Sequence, residues 1–163
     1  MTRGALAVAT GLALAVLPGV AHAGNPAPAP AERFLLVLAG PPGQPGTVVA
    51  SGAIADVGTI TPADGDVETF VFPDGTLRLT TTSATRVELP RPPLCLTRFS
   101  STGTWQVLDG TGRFAGATGS GRSTDSGATT GPVVGGACTE QVTSLVAVGR
   151  LVGTLGGAGS ATR

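Results

Sequence analysis

The stretch from Trp105 to Gly121, WQVLDGTGRFAGATGSG, constrains the fold of this chain more than any other. It reads as a short apolar strand, a glycine turn, and a second strand built from Phe114, small residues and more glycine. Gly110 and Gly112 suit a tight turn with positive φ. Gly116, Ala117, Gly119 and Gly121 carry almost no side chain, so the segment after the turn can bend sharply or let another backbone approach. Phe114 and Trp105 are the large groups available to fill the space beside it. Gly110-x-Gly112-x-x-Ala115 formally fits a dinucleotide fingerprint, but that fingerprint needs a helix to begin there. FAGATGSG is too rich in glycine to be that helix.

The rest of the chain also reads as β-structure. With Gly 26 and Pro 13 among 163 residues, disorder is the competing expectation; the apolar residues, however, fall in alternating runs. Arg33–Leu38, Thr47–Asp56, Val67–Phe72 and Thr76–Thr82 read as strands, with Gly52 a bulge or bend in the second. Pro73-Asp74-Gly75 joins the last two as a hairpin with a three-residue loop, Gly75 taking its left-handed position. Leu77 and Leu79 point one way and Arg78 and Thr80 the other, so one face of that strand belongs to the core. Thr61–Asp66 has turn chemistry. Thr85–Leu89, Leu94–Phe99 and Trp105–Leu108 are further short strands, and Arg122–Gly136 reads as a long loop or irregular hairpin.

Val142–Leu155 has apolar spacing that allows a helix. Gly149 and Gly153 would each cost about 1 kcal/mol in a helix interior, and four valines favour β, so a strand is expected. The count is about eight strands and no helix, which suggests a closed barrel or a sandwich.

The first residues read as an address rather than as fold. Met1-Thr2-Arg3 supplies a positive charge, an apolar run follows from Ala5 to Val20, and Ala21-His22-Ala23 closes it as an A-x-A cleavage site. The uninterrupted apolar core is too short for a membrane span, and Pro18-Gly19 breaks it. A secretory signal over 1–23, cleaved after Ala23, is therefore expected. A Pro/Ala-rich linker over 24–31, one β domain over 32–156 and a flexible tail over 157–163 would follow. The mature protein would be secreted.

Cleavage removes the single histidine, His22, and the chain has no lysine and no tyrosine. Without histidine or lysine, Ser-His-Asp, Cys-His, Schiff-base and Ser-Lys chemistry have no residues to run on. Asp64, Asp66 and Glu68 crowd one turn, but their spacing lacks the calcium-ligand series of an EF-hand. No metal and no cofactor is implied. The near-neutral charge provides no basic footprint for nucleic acid and no basic amphipathic helix for a membrane surface. Cys95 and Cys138, an even count in a secreted chain, read as a structural disulfide. Acid–base work by Glu68, Glu88, Asp109 or Glu140 stays open.

Gly110–Gly121, GTGRFAGATGSG, preceded by Trp105, resembles the Gly-Thr-Gly-x-Phe/Tyr-x-Gly-Ala-x-Gly signature of barrels related to allene oxide cyclases and dirigent proteins, especially their small secreted bacterial relatives. The resemblance implies an antiparallel eight-stranded barrel, often a homo-oligomer, whose interior holds a hydrophobic small molecule. The family's catalytic residues find no match here, so none is carried over. A β-sandwich is the alternative architecture.

Three functions follow as expectations. The first is a non-catalytic barrel binding a small hydrophobic ligand or a surface partner. The second is a cyclase or isomerase, or a dirigent-like guide, which requires a deep pocket with a buried, perturbed carboxylate or arginine. The third is a structural or self-associating envelope protein with a filled interior and an apolar outer patch. Inward-facing Glu68 or Arg78 beside Trp105 or Phe114 would be the pocket residues.

Overall fold

The structure, a computed structural model, describes residues 28–88, 90 and 92–157. The expected signal segment lies outside them, as do half of the expected linker and most of the expected tail. Among the described residues there are ten strands: β1 Ala31–Gly40, β2 Gly46–Gly52, β3 Asp56–Asp64, β4 Val67–Phe72, β5 Gly75–Glu88, β6 Leu96–Gly110, β7 Thr118–Thr130, β8 Val133–Val134, β9 Ala137–Cys138 and β10 Ser144–Gly156. Eight of them close an antiparallel barrel in the order β1-β10-β7-β6-β5-β4-β3-β2, with β2 returning to β1. The barrel, not the sandwich, is the architecture.

Alternation builds it. In β1, Phe34 and Leu36 point inward and are buried while Leu35 and Val37 are exposed. In β6 the inward series is Phe99, Ser101, Gly103, Trp105 and Val107. The period of two carries every strand through one inner and one outer face. β8 and β9 form a separate hairpin turned by Gly135 and Gly136 at φ 60° and 81°, the positive pair that a two-residue hairpin turn demands. The outer face is apolar along β10, β1 and β2, where Val148 registers beside Val37, and Leu35 beside Val49.

Several segments differ from the sequence expectation. The stretch 61–64 continues β3 rather than turning, because β4 supplies a partner across a bulge. The second strand ends at Gly52 instead of Asp56. Thr85–Leu89 is not a separate strand, because β5 runs unbroken from Gly75 to Glu88; β6 likewise runs through Ser100–Gly103. The polar, glycine-rich segment after Gly121 is the body of β7, because it pairs on both sides, with β6 and β10. Its small residues are a wall, not a loop. Phe114 lies in a 3-10 turn over Gly112–Phe114, not in a strand.

That turn closes one end, here called the base. Phe114 is fully buried there, its ring centroid 5.3 Å from that of Phe72. Thr111 N–H donates to the Thr76 carbonyl at 2.9 Å, and Arg113 N–H donates to the Asp74 carbonyl at 3.0 Å. The Arg113 guanidinium reaches Asp56 at 2.7 Å. Gly75 has φ 151° and registers opposite Phe72, so the β4–β5 loop is two residues, Pro73 and Asp74, rather than three. A Cβ at Gly75 would run into the Thr111 carbonyl; close approach as well as turn geometry requires the glycine.

Glu32 anchors the same end. Its side chain is fully buried and accepts from the Ile54 N–H at 2.7 Å and the Arg33 N–H at 3.2 Å. Burial raises its pKa and the backbone donors work against that rise. At the opposite end, Cys95 and Cys138 lie at disulfide distance, 5.3 Å between Cα atoms, and tie the start of β6 to the β8–β9 hairpin.

Candidate functional site

The barrel interior has two halves of different character. Toward the base, Phe34 and Phe70 have ring centroids 5.3 Å apart, and Phe34 meets Trp105 edge-on at 5.8 Å. With Leu77, Leu79, Leu151 and Leu155 these rings fill the lumen, as an interior of this size allows. Trp105 fits because β7 and β10 carry glycine beneath it. A Cβ on Gly121 would lie 2.6 Å from indole Nε1, and one on Gly153 2.7 Å from Cζ2. The backbone approach expected from sequence is present, a Cβ at Gly121 meeting the Val152 carbonyl and one at Gly153 the Ser120 carbonyl, and the same two glycines also make a shelf for one side chain.

Beyond Trp105 the inward positions become small and polar: Thr81 on β5, Ser101 and Gly103 on β6, Ser123 and Asp125 on β7, and Gly149 on β10. Leu36 and Phe99 also point inward at this level, and Ser101 and Ser123 are buried there. The wall is also incomplete here. β4 pairs with β5 only as far as Val67 opposite Thr80. From Thr82 to Glu88, β5 is registered with β6 alone among the described residues. Inward positions Ser83, Thr85 and Val87 are accordingly exposed. This end is a curved sheet of β5-β6-β7-β10-β1, open above β4. A concavity of about 360 Å³ between Leu38, Leu145 and the β1–β2 loop lies at its rim.

Glu68 sits where the complete barrel gives way to the open half. It occupies an inward position on β4, opposite Leu79 in register. Burial pushes its carboxyl up to about 7, and the negative charge of Asp125 adds to the rise. β4 and β7 stand three strands apart around the ring, so the two carboxylates face one another across the lumen. Burial also raises the Asp125 pKa, opposed by the hydroxyl of Ser101, which donates to Oδ2 at 3.0 Å. Asp125 Oδ1 lies over Gly149, where a Cβ would displace it.

Three buried polar atoms in this region have no hydrogen-bond partner among the described residues: Glu68 Oε2, Trp105 Nε1 and Ser123 Oγ. Ser123 and Trp105 are only 2% and 1% exposed. An unsatisfied buried polar atom costs about 1–3 kcal/mol, and a protein retains few of them.

Of the residues proposed from sequence for a pocket, Glu68 and Trp105 face the lumen where the two halves meet. Phe114 is inside too, but at the base with Phe72, away from the polar level. Arg78 is on the outer surface, with Nη1 2.8 Å from Asp109 Oδ2 and both side chains about half exposed. Its even position between inward Leu77 and Leu79 already carried that signal. Sequence reading missed Asp125, Ser101 and Ser123. The only signal was their alternation with glycine, obscured once the segment was taken for a loop.

Among the described residues, no group of three or more His, Cys, Asp or Glu side chains is placed to hold a metal ion, and no helix is long and apolar enough to cross a membrane. No family model, curated protein or solved structure matches this chain.

Proposed function

We propose that this protein is a secreted binding barrel that takes one small, mainly apolar molecule into its open half. The observation that carries this reading is the set of buried polar atoms without protein partners, Glu68 Oε2, Trp105 Nε1 and Ser123 Oγ, at the level where small polar residues line the inner face. An apolar body would rest on Leu36, Phe99 and the Trp105 indole, and its polar group would meet the unpartnered atoms. Few convergent polar groups in an otherwise apolar concavity are the usual composition of a small-molecule site. The disulfide-distance cysteine pair is consistent with an oxidising compartment.

The test is native mass spectrometry of protein recovered from its own secretions. A retained small molecule, lost on substituting Ser123→Leu to fill the polar level, is the expected result. A clean apo mass together with no binding to an apolar probe panel would overturn the proposal. The same preparation should begin at Gly24; an N-terminus at Met1 would contradict export by signal cleavage.

A second reading has its own support. A carboxyl that titrates near neutrality inside a lumen is matched to general acid–base work. Glu68 would then move a proton on a bound substrate while burial, with Asp125 adding to it, holds it close to half-protonated, as in an isomerisation or cyclisation. Glu68→Gln abolishing turnover while leaving binding intact would favour catalysis; unchanged turnover would remove it.

A further inference from the structure

We infer that the molecule taken by the open half is an organic cation, an amine on an apolar body, whose ammonium sits between Glu68 and Asp125. This rests on the binding-barrel reading and specifies its ligand. Two carboxylates face the lumen from β4 and β7, and among the described residues no cation faces it with them. The described arginines stand at exposed, outward positions on the strands; the exception, Arg113, is committed at the base to Asp56 and Asp74. Carboxylates drawn out of water need a counter-charge or must take up protons. A bound ammonium supplies the counter-charge.

The hydrogen-bond inventory at the same level independently points to a ligand. Glu68 Oε2 and Ser123 Oγ are acceptors without a protein partner, and Ser123, at 2% exposure, lies one inward position from Asp125. An ammonium offers up to three donors, so it satisfies acceptors from both strands at once. Ser101 leaves Oδ1 of Asp125 uncommitted by bonding only Oδ2. Trp105 Nε1 is a donor and requires an acceptor, which an ether or hydroxyl oxygen beside the amine would provide. Gly103, opposite Ser123 in register, packs directly against the β5 backbone at Thr82 and Ser83, so it adds no competing side chain to this level. The negative lumen also disfavours fatty-acid-like anions, which would add a third carboxylate.

Calorimetric titration of the mature, oxidised protein with decylamine, decanol and decanoate at about pH 8 tests the inference. The three probes share one chain and differ in head group. The expected order is decylamine tighter than decanol by about tenfold or more, decanoate weakest, with Glu68→Gln cutting the preference for decylamine over decanol about tenfold. Decanol equal to decylamine, or decanoate tightest, would overturn the cation while the binding barrel stands. No binding of any probe would remove both. The wild-type comparison needs no variant, so it does not depend on Glu68→Gln folding.

Discussion

Replacing Glu68 by Gln tests the electrostatics of the lumen directly, because the substitution keeps the shape and removes the charge. In the folded chain the Glu68 carboxyl is raised from 4.5 to about 7, whereas in the unfolded chain it titrates near its ordinary value. At about 1.4 kcal/mol per pKa unit, ionising it inside the barrel costs on the order of 3 kcal/mol. The sign follows from proton counting. Between 4.5 and about 7 the folded chain holds a proton that the unfolded chain has lost, so stability from this group is fully present below 4.5 and falls as pH rises through that window.

Glu32 and Asp125 are raised by burial as well and slope the same way. The difference between variant and wild type therefore cancels Glu32 and reports Glu68 together with its coupling to Asp125. Equilibrium urea unfolding across the window, disulfide intact, should give curves that nearly coincide at the acid end. Above the Glu68 titration the variant should be more stable by roughly 3 kcal/mol, a rise of about 10 °C in Tm for a domain of this size. A difference that does not change with pH, or a variant less stable than wild type on the alkaline side, would refute the placement of Glu68 as an unpaired lumen carboxylate.

Asp125→Asn should lower the Glu68 pKa from about 7, since a neighbouring negative charge is one of its two causes; a carboxyl carbon NMR titration that leaves Glu68 unmoved would break the coupling across the lumen. Gly121→Ala drives a methyl against both the Val152 carbonyl and indole Nε1 and should cost about 1–3 kcal/mol by overpacking. It should also shift emission from Trp105, the one tryptophan, and an unchanged spectrum with unchanged stability would contradict the shelf. Reducing the Cys95–Cys138 pair, whose sequence separation is 43, should cost about 4 kcal/mol through the entropy of the opened loop; coincident unfolding curves with and without reductant would rule that out.

Much of the architecture was legible from local chemistry. Alternation in 77–80 set which face of that strand is inside, the turn residues Pro73-Asp74-Gly75 placed a hairpin, and an even cysteine count paired Cys95 with Cys138. These are properties of neighbours in sequence, and period and turn chemistry report them directly. The glycine turn after Trp105 was correctly placed between two β segments, although the second begins at Thr118 rather than at Phe114, and Phe114 was correctly read as a residue that fills space.

What the glycines are for was decided only by the tertiary structure. Gly121 and Gly153 belong to different strands, 32 residues apart in numbering, and become one shelf under Trp105 because β7 and β10 register them together. The segment after Gly121 looked like a loop because strand propensity is low for Gly and Asp; two flanking partners overrode it. Arg78 and Glu68 were equal candidates on charge alone, and the pleat separated them into an outer ion pair and a lumen carboxylate. The encounter of Glu68 with Asp125 has no local signature at all. It exists because closing eight strands brings two distant chain segments face to face, where the loss of water couples their charges.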